Sequence, residues 1–184
     1  MKDSHLERLK YPIGHFQAPQ SITETHISEW IDVLASLPDT LTALVKHLDD
    51  EQLDTPYRPG GWTLRQTIHH MADSHHNSYM RFKWALTEDG PLIKAYDEKA
   101  WAELFDSQTA PIELSLLHLR AVHAKLVFLL RGLHRDQLKR IFIHPEDRSK
   151  TPLDENIGRY AWHSRHHLAH IGGLMKRKGW AKVQ

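Results

Sequence analysis

From Thr151 to Gly179 the chain carries Leu153, Ile157, Ala161, Ser164, Leu168, Ile171 and Met175 at the spacing of one helix face, with stop and start signals at both ends. Thr151 is a good N-cap and Pro152 suits a first helical position. Lys176, Arg177 and Lys178 followed by Gly179 mark the stop. A helix this long with one apolar face must bury that face against others of its kind, and three further stripes supply them. The first follows a Ser21–Glu24 capping box, runs through Ile27, Trp30, Ile31, Leu34 and Leu37, is interrupted or restarted at Pro38, and continues through Leu41, Leu44, Val45 and Leu48. The second opens on a Thr63–Gln66 capping box and reaches about Leu86 through Leu64, Ile68, Met71, His75 and Phe82. The third follows Pro111 and carries Leu119, Val122, Leu126, Leu129, Leu130 and Leu133.

Between these stripes the breaks are equally readable. Residues 1–20, with Pro12, Gly14 and Pro19 and no apolar period, read as an extended arm. Asp54–Gly61 holds two prolines and two glycines and must be a loop. A short helix is expected from Asp97 to about Phe105, and a small hairpin around Glu146–Lys150. One domain over residues 1–184, all-α and built as an antiparallel four-helix bundle, is the architecture these elements imply.

The last helix also carries His163, His166, His167 and His170 within eight residues. Residues i and i+4 stand above one another on a helix, so His163/His167 or His166/His170 could offer two imidazoles to one ion. With Ser164 at zero, and about 100° per residue, His167 falls at about −60° and His163 at about −100°, on the flank of the apolar stripe. His166 falls at about −160°, nearly opposite, so the first pair faces the interior and His166 and His170 do not join it there. Asn156 and Tyr160 share the favoured flank, as candidates to orient bound imidazoles. In the second helix His70 lies beside Thr67, Ser74 and Asn77 on one flank and His69 lies on the other; phase leaves both open.

A lone histidine in a helix is ordinarily a hydrogen-bonded core residue. Two on an interior flank at i,i+4, with another pair on a second capped helix, point instead to a mononuclear metal site. His5, His15, His26, His47, His118, His123, His134 and His144 show no such arrangement and read as surface or structural. Asp73 reads as solvated, and Trp62 as packing at a helix entry. The absence of cysteine removes disulfides, thiolate ligands and thiol nucleophiles together. No His-Glu-x-x-His, Glu-x-x-His pair, Gly-x-Ser-x-Gly or phosphate-binding loop occurs. Lys and Arg total 24 against 23 Asp and Glu, so no basic footprint for nucleic acid is present. No signal peptide or spanning segment is evident, and a cytoplasmic protein with neither membrane nor nucleic-acid partners is expected.

Several stretches taken together resemble a known family. They are Gln52–Arg58, Gly60-Gly-Trp-Thr63, His69-His-Met-Ala-Asp-Ser-His75, Asn77-Ser-Tyr79, Tyr96–Trp101 and Trp162-His-Ser-Arg-His-His167. The chain resembles the DinB/YfiT-like superfamily of small bacterial metal-binding bundles, most closely its YfiT branch of metal-dependent hydrolases, from Tyr11 to Trp180. The resemblance implies an up-down-down-up bundle, often a homodimer, holding one divalent metal, zinc or nickel, on three histidines. Its pattern places one ligand eight residues after a tryptophan that precedes Ser or Thr, which selects His70, and a His-x-x-x-His pair on the last helix, which selects His163 and His167. Arg165 within the histidine cluster departs from the pattern. Related members are thiol S-transferases, so the nucleophile could be water or a low-molecular-weight thiol such as bacillithiol, and the substrate a small molecule. Ser74, Asn77, Asn156 and Tyr160 are the pocket candidates, with the general acid and base unassigned. The alternative expectation is a non-catalytic metal-binding or regulatory bundle.

Overall fold

The computed structural model describes residues 2–180. Four long helices carry the fold among shorter elements: α1 (Lys2–Lys10), α2 (Glu24–Val45), α3 (Asp50–Leu53), α4 (Leu64–Thr87), α5 (Glu98–Ala102), α6 (Phe105–Thr109), α7 (Ile112–Arg131), α8 (Arg135–Leu138), β1 (Ile141–Ile143), β2 (Lys150–Pro152) and α9 (Leu153–Lys178). Two apolar clusters fix their directions. At one end Leu37, Leu41 and Val45 of α2 meet Leu64 and Ile68 of α4, Ile112 and Leu116 of α7, and Ile171 and Leu174 of α9. At the other end Ile31 and Leu34 meet Phe82 and Ala85, Leu126 and Leu130, and Leu153 and Ile157. The start of α2 therefore lies with the ends of α4 and α7 and the start of α9. This is an up-down-down-up bundle, and α2 packs on α7 and α9, as α4 also does. Because α4 and α7 run parallel, the chain must return along the bundle between them; residues 88–111, with α5 and α6, make that return. No helix among the described residues is long and apolar enough to cross a membrane.

Local chemistry sets the helix ends. At α4, Thr63 and Gln66 form the reciprocal box expected, with the Gln66 amide donating to Thr63 Oγ1 at 3.1 Å and the Thr63 amide donating to Gln66 Oε1 at 2.9 Å. At α2 the box uses Thr23 and His26 rather than Ser21 and Glu24, the imidazole Nδ1 standing in for a carboxylate as acceptor. Helix α9 starts one residue later than expected, because Thr151 and Pro152 pair with Phe142 and Ile141 in the hairpin. Gly179 ends α9 at φ +70°, a left-handed stop that glycine adopts without strain. Pro38 neither ends nor restarts α2, which runs through it.

The larger departure is at the N-terminus. Residues 2–10 form α1, and only the segment after it is extended. That segment runs antiparallel along α9: the Lys10 carbonyl lies 2.9 Å from His170 Nε2, the Gly14 carbonyl accepts from Trp162 Nε1 at 3.2 Å, and the Phe16 ring lies under the Arg159 guanidinium. A turn at Gly14, φ +74°, shapes it. The sequence shows no apolar period there because the strap is held by carbonyls and aromatic edges, which periodicity does not detect.

Helix α2 packs on α9 over Gly158, where an added Cβ would stand 2.8 Å from Trp30 ring carbons. Gly172, on the same helix, has no atom within 4 Å of that position. Both alanine replacements gain the same helix propensity, so their difference isolates the packing. Gly158→Ala should be less stable than Gly172→Ala by about 1–3 kcal/mol in urea melts, and equal stabilities would show that Trp30 yields freely.

Candidate metal centre

Helices α4 and α9 bring His70, His163 and His167 together, as the sequence reading expected of these positions. Their Nε2 atoms converge: His70 to His163 spans 3.3 Å and His167 to His163 spans 3.2 Å. Three imidazole nitrogens at 2.0–2.1 Å from one tetrahedral ion must stand about 3.3 Å apart, so the donor set fits a divalent metal in both chemistry and spacing. His70 and His167 are buried, whereas His163 remains partly open. It opens onto two cavities, about 740 Å³ and 780 Å³, which share Glu98, Lys99 and Trp162 as well as His163. The larger walls of the first are Tyr57, Trp62 and the other histidines of α9, with Lys10, Arg58 and Lys99 bringing positive charge.

The remaining candidates divide. Ser74 and Tyr160 line the second cavity beside His163, with their hydroxyl oxygens 3.3 Å apart. Asn77 and Asn156 line neither cavity, contrary to expectation. The Asn77 amide donates to the Asp73 carbonyl of its own helix, and Asn156 is buried between helices, donating to Ser78 Oγ at 3.1 Å. Helical phase put both on the right flank but could not see how high each stands along the axis. Trp62 does more than pack at a helix entry: its ring lies 4.7 Å from that of His70 and borders the first cavity. His69 turns to α7, with Nδ1 2.7 Å from Ser115 Oγ and Nε2 3.2 Å from the Ala110 carbonyl. Asp73 lines neither cavity, but it is half-buried rather than solvated, and burial beside Asp106 pushes its carboxyl up to about 6.

One correction concerns two histidines of α9. His166 and His170, placed outside by phase, are buried at 7% and 4% exposure. They lie outside the bundle core, as phase said, but under the N-terminal strap and the loop after α3. His166 stacks on Trp162 at 4.5 Å near Tyr11, and His170 stacks on Tyr57 at 4.1 Å. His123, read as surface or structural, is structural: it is buried inside the bundle, 2.9 Å from His75, which in turn lies 3.1 Å from His163 Nδ1. A signal was present: His75 sits on the apolar stripe of α4 and His123 next to Val122 in the stripe of α7, and a histidine on a core face needs a polar partner.

Residues 28–171 match the family model described as the DinB superfamily. The chain belongs to the DinB superfamily. A relative from Oceanobacillus iheyensis, named "Putative metal-dependent hydrolase", is 54% identical over 93% of this chain and 98% of its own length. YfiT of Bacillus subtilis, named likewise, is 50% identical over 94% of this chain and 97% of its own. The solved structure of YfiT, described as a probable metal-dependent hydrolase with an unusual four-helix bundle topology, superposes with a TM-score of 0.92 at 49% identity, over 95% of this chain and 99% of that one. This DinB-superfamily chain thus shares its bundle fold with a protein of half-identical sequence.

Desolvation controls the ionisation of the centre. Burial lowers His70, His123, His166 and His170 to about 4, and His75, His163 and His167 well below the ordinary value, with neighbouring imidazoles adding to the effect at the last three. All are therefore neutral near pH 7, the state a metal requires. In the unfolded chain each titrates near 6.5, so between pH 6.5 and about 4 the unfolded state binds more protons. Their contribution to stability is complete above about 6.5 and is lost as pH falls through that window. Asp73 and Glu98, raised by burial, act in the opposite sense and are outnumbered. Urea midpoints of metal-free protein should fall steeply from pH 6.5 to 4; midpoints constant or rising on acidification would contradict the burial of these rings.

Proposed function

We propose that this chain is a metal-dependent hydrolase acting in the cytoplasm on a small molecule, with one divalent ion, zinc or nickel, held by His70, His163 and His167. The observation that carries the reading is the convergence of three Nε2 atoms at the meeting of two cavities. The names of the half-identical relatives support it. When bound, the ion supplies Lewis acidity, which lowers the pKa of water from 15.7 to about 7 and acidifies a thiol likewise. The chain's own residues do the rest. Three neutral rings leave the positive charge of the site uncompensated, so an anionic nucleophile is favoured there. Tyr57 and Trp62 form a wall that limits water beside His70. The Tyr160 and Ser74 hydroxyls stand on the other side of His163, where they can hold a polar group of the substrate.

Thiol S-transfer is the second reading of the same centre. It is favoured by Arg58 and Lys99, which stand among the lining residues with Glu98 and Glu103 and can meet a carboxylate of a small thiol, and by a cavity large enough to hold one. The access through His163 argues against a purely storage or regulatory bundle, which a closed set of four protein ligands would serve better. A second copy of the chain is the expected partner. An exposed stripe on α7, Leu114, Leu117, Ala121, Ala124 and Phe128, has the spacing of a helix–helix seam and nothing covering it among the described residues.

Protein purified without added metal, or reconstituted with zinc or nickel, should carry about one ion per chain, and His70→Ala or His167→Ala should abolish tight binding. No uptake by reconstituted protein would end the reading. With cobalt or nickel in the site, a low-molecular-weight thiol that adds a sulfur-to-metal charge-transfer band and is conjugated to an electrophile only in loaded protein would favour transfer. Ester or amide cleavage with no thiol response would favour hydrolysis. For the dimer, Phe128→Glu should shift sedimentation from two chains to one, and an unchanged sedimentation coefficient would place the interface elsewhere.

A further inference from the structure

Outside the three candidate ligands, this molecule buries a connected set of histidines for which neither hydrolysis nor thiol transfer has an immediate use. Their contacts form two chains, each starting at a backbone carbonyl and ending at a ligand of α9. In the first, His123 Nδ1 lies 2.6 Å from the Leu34 carbonyl, His123 Nε2 lies 2.9 Å from His75 Nδ1, and His75 Nε2 lies 3.1 Å from His163 Nδ1. In the second, His170 Nε2 lies 2.9 Å from the Lys10 carbonyl and His170 Nδ1 lies 3.4 Å from His167 Nδ1.

A carbonyl oxygen only accepts, and a neutral imidazole has one donor and one acceptor nitrogen. The direction of every bond in each chain follows from its first atom. Facing Leu34, His123 must carry its proton on Nδ1, leaving Nε2 to accept. His75 must then donate from Nδ1 and accept at Nε2, and His163 must donate from Nδ1. Its Nε2 is left with a lone pair, aimed at His70 and His167. On the other side Lys10 requires the His170 proton on Nε2. His170 Nδ1 therefore accepts from His167 Nδ1, and the lone pair of His167 Nε2 also points into the centre. The ring nitrogen that binds metal is set by the bond the other nitrogen makes.

The anchor of the first chain depends on a proline. In a regular helix the Leu34 carbonyl would accept from the amide of residue 38, but Pro38 has none. That carbonyl is free for His123, deep in the bundle where α2 meets α7.

We propose that these two carbonyl-anchored histidine chains fix the tautomers of His163 and His167, making His75, His123 and His170 positioning residues for the metal centre. The inference rests on the three-histidine centre proposed above, but its first test needs no metal. Long-range nitrogen–proton correlation spectra of metal-free protein, with histidine labelled in nitrogen-15, should show Nδ1–H on His123, His75, His163 and His167 and Nε2–H on His170. An Nε2–H on either His75 or His163 overturns the first chain, and an Nδ1–H on His170 overturns the second.

Chelator competition on the intact protein then measures the consequence. His75→Phe keeps a ring of similar size but cannot accept from His163, and His170→Phe removes the acceptor facing His167. Each should weaken zinc or nickel binding about 10–100-fold. His75→Gln, whose amide oxygen stands near the place of Nε2, should recover much of the loss at His75. Circular dichroism and melting of each variant separate a folding defect from a loss at the site, and the spectra of the unaltered protein decide the tautomers even if a variant does not fold. Unaltered protein that binds no metal defeats the metal-centre reading itself. Unaltered protein that binds, with folded His75→Phe and His170→Phe binding equally well, defeats only this inference. A second ion per chain, held by His166, His167 and His170, would also overturn the second chain, because His167 could not then keep a proton on Nδ1.

Discussion

An imidazole cannot leave water cheaply unless both of its nitrogens find partners, and this bundle removes several of them from water in one place. That constraint organises the middle of the molecule. Between the two apolar clusters, where α4, α7 and α9 might have closed on leucines, they close instead on His75, His123, His163 and His167. An unpaired buried polar group costs about 1–3 kcal/mol, so each ring fixes its neighbour's position more sharply than an apolar contact of the same area. The clusters at the two ends supply most of the burial, and the histidines supply the register between helices.

The same constraint explains why the N-terminal segment is part of the site. His166 and His170 project from α9 on the side away from the bundle core, where a helix of a simple bundle would face solvent. The strap from Lys10 to Phe16 covers them and supplies a carbonyl to His170. Tyr57 closes from the other direction by stacking on His170, and its own carbonyl accepts from Arg177. Burial of His166 leaves its Nδ1 without a hydrogen-bond partner among the described residues. The outer face of α9 is therefore one wall of the cavity, roofed by a segment more than a hundred residues away in sequence.

Helical period was enough to read the bundle, since the apolar stripes of α2, α4, α7 and α9 stand as the sequence places them. Directions were not readable from period: parallel and antiparallel neighbours use the same stripes, and the up-down-down-up order came only from the resemblance. For the site, i,i+4 spacing and phase singled out His163 and His167, but phase is blind to three things. It gave no choice between His69 and His70, because both flanks of α4 meet a helix. It gave Asn77 and Asn156 the right direction at the wrong height. It treated the side of α9 opposite the core as solvent, because an irregular strap has no period of its own. What makes His166 and His170 buried is chain held by carbonyls, and carbonyls are the same at every residue.

Pro38 shows how a local irregularity can be specified by a distant need. A proline inside a helix costs about 3 kcal/mol relative to alanine, and although Pro38 is buried, its neighbours Leu37 and Leu41 are the residues of this stretch in the apolar cluster. Read from the sequence alone, it looked like a boundary between two helices. In the structure the helix continues, and the visible consequence is a carbonyl at Leu34 released from helical duty and turned onto His123. The destabilisation of one helix is offset only in part by a hydrogen bond that begins a line of three imidazoles ending at the candidate centre. A serine or threonine hydroxyl could have met His123 just as closely, but a hydroxyl both donates and accepts and would leave the direction of the line undecided. A carbonyl only accepts. Direction, rather than strength, is what a backbone oxygen contributes here, and it is why a proline four residues downstream belongs to the description of the candidate metal centre.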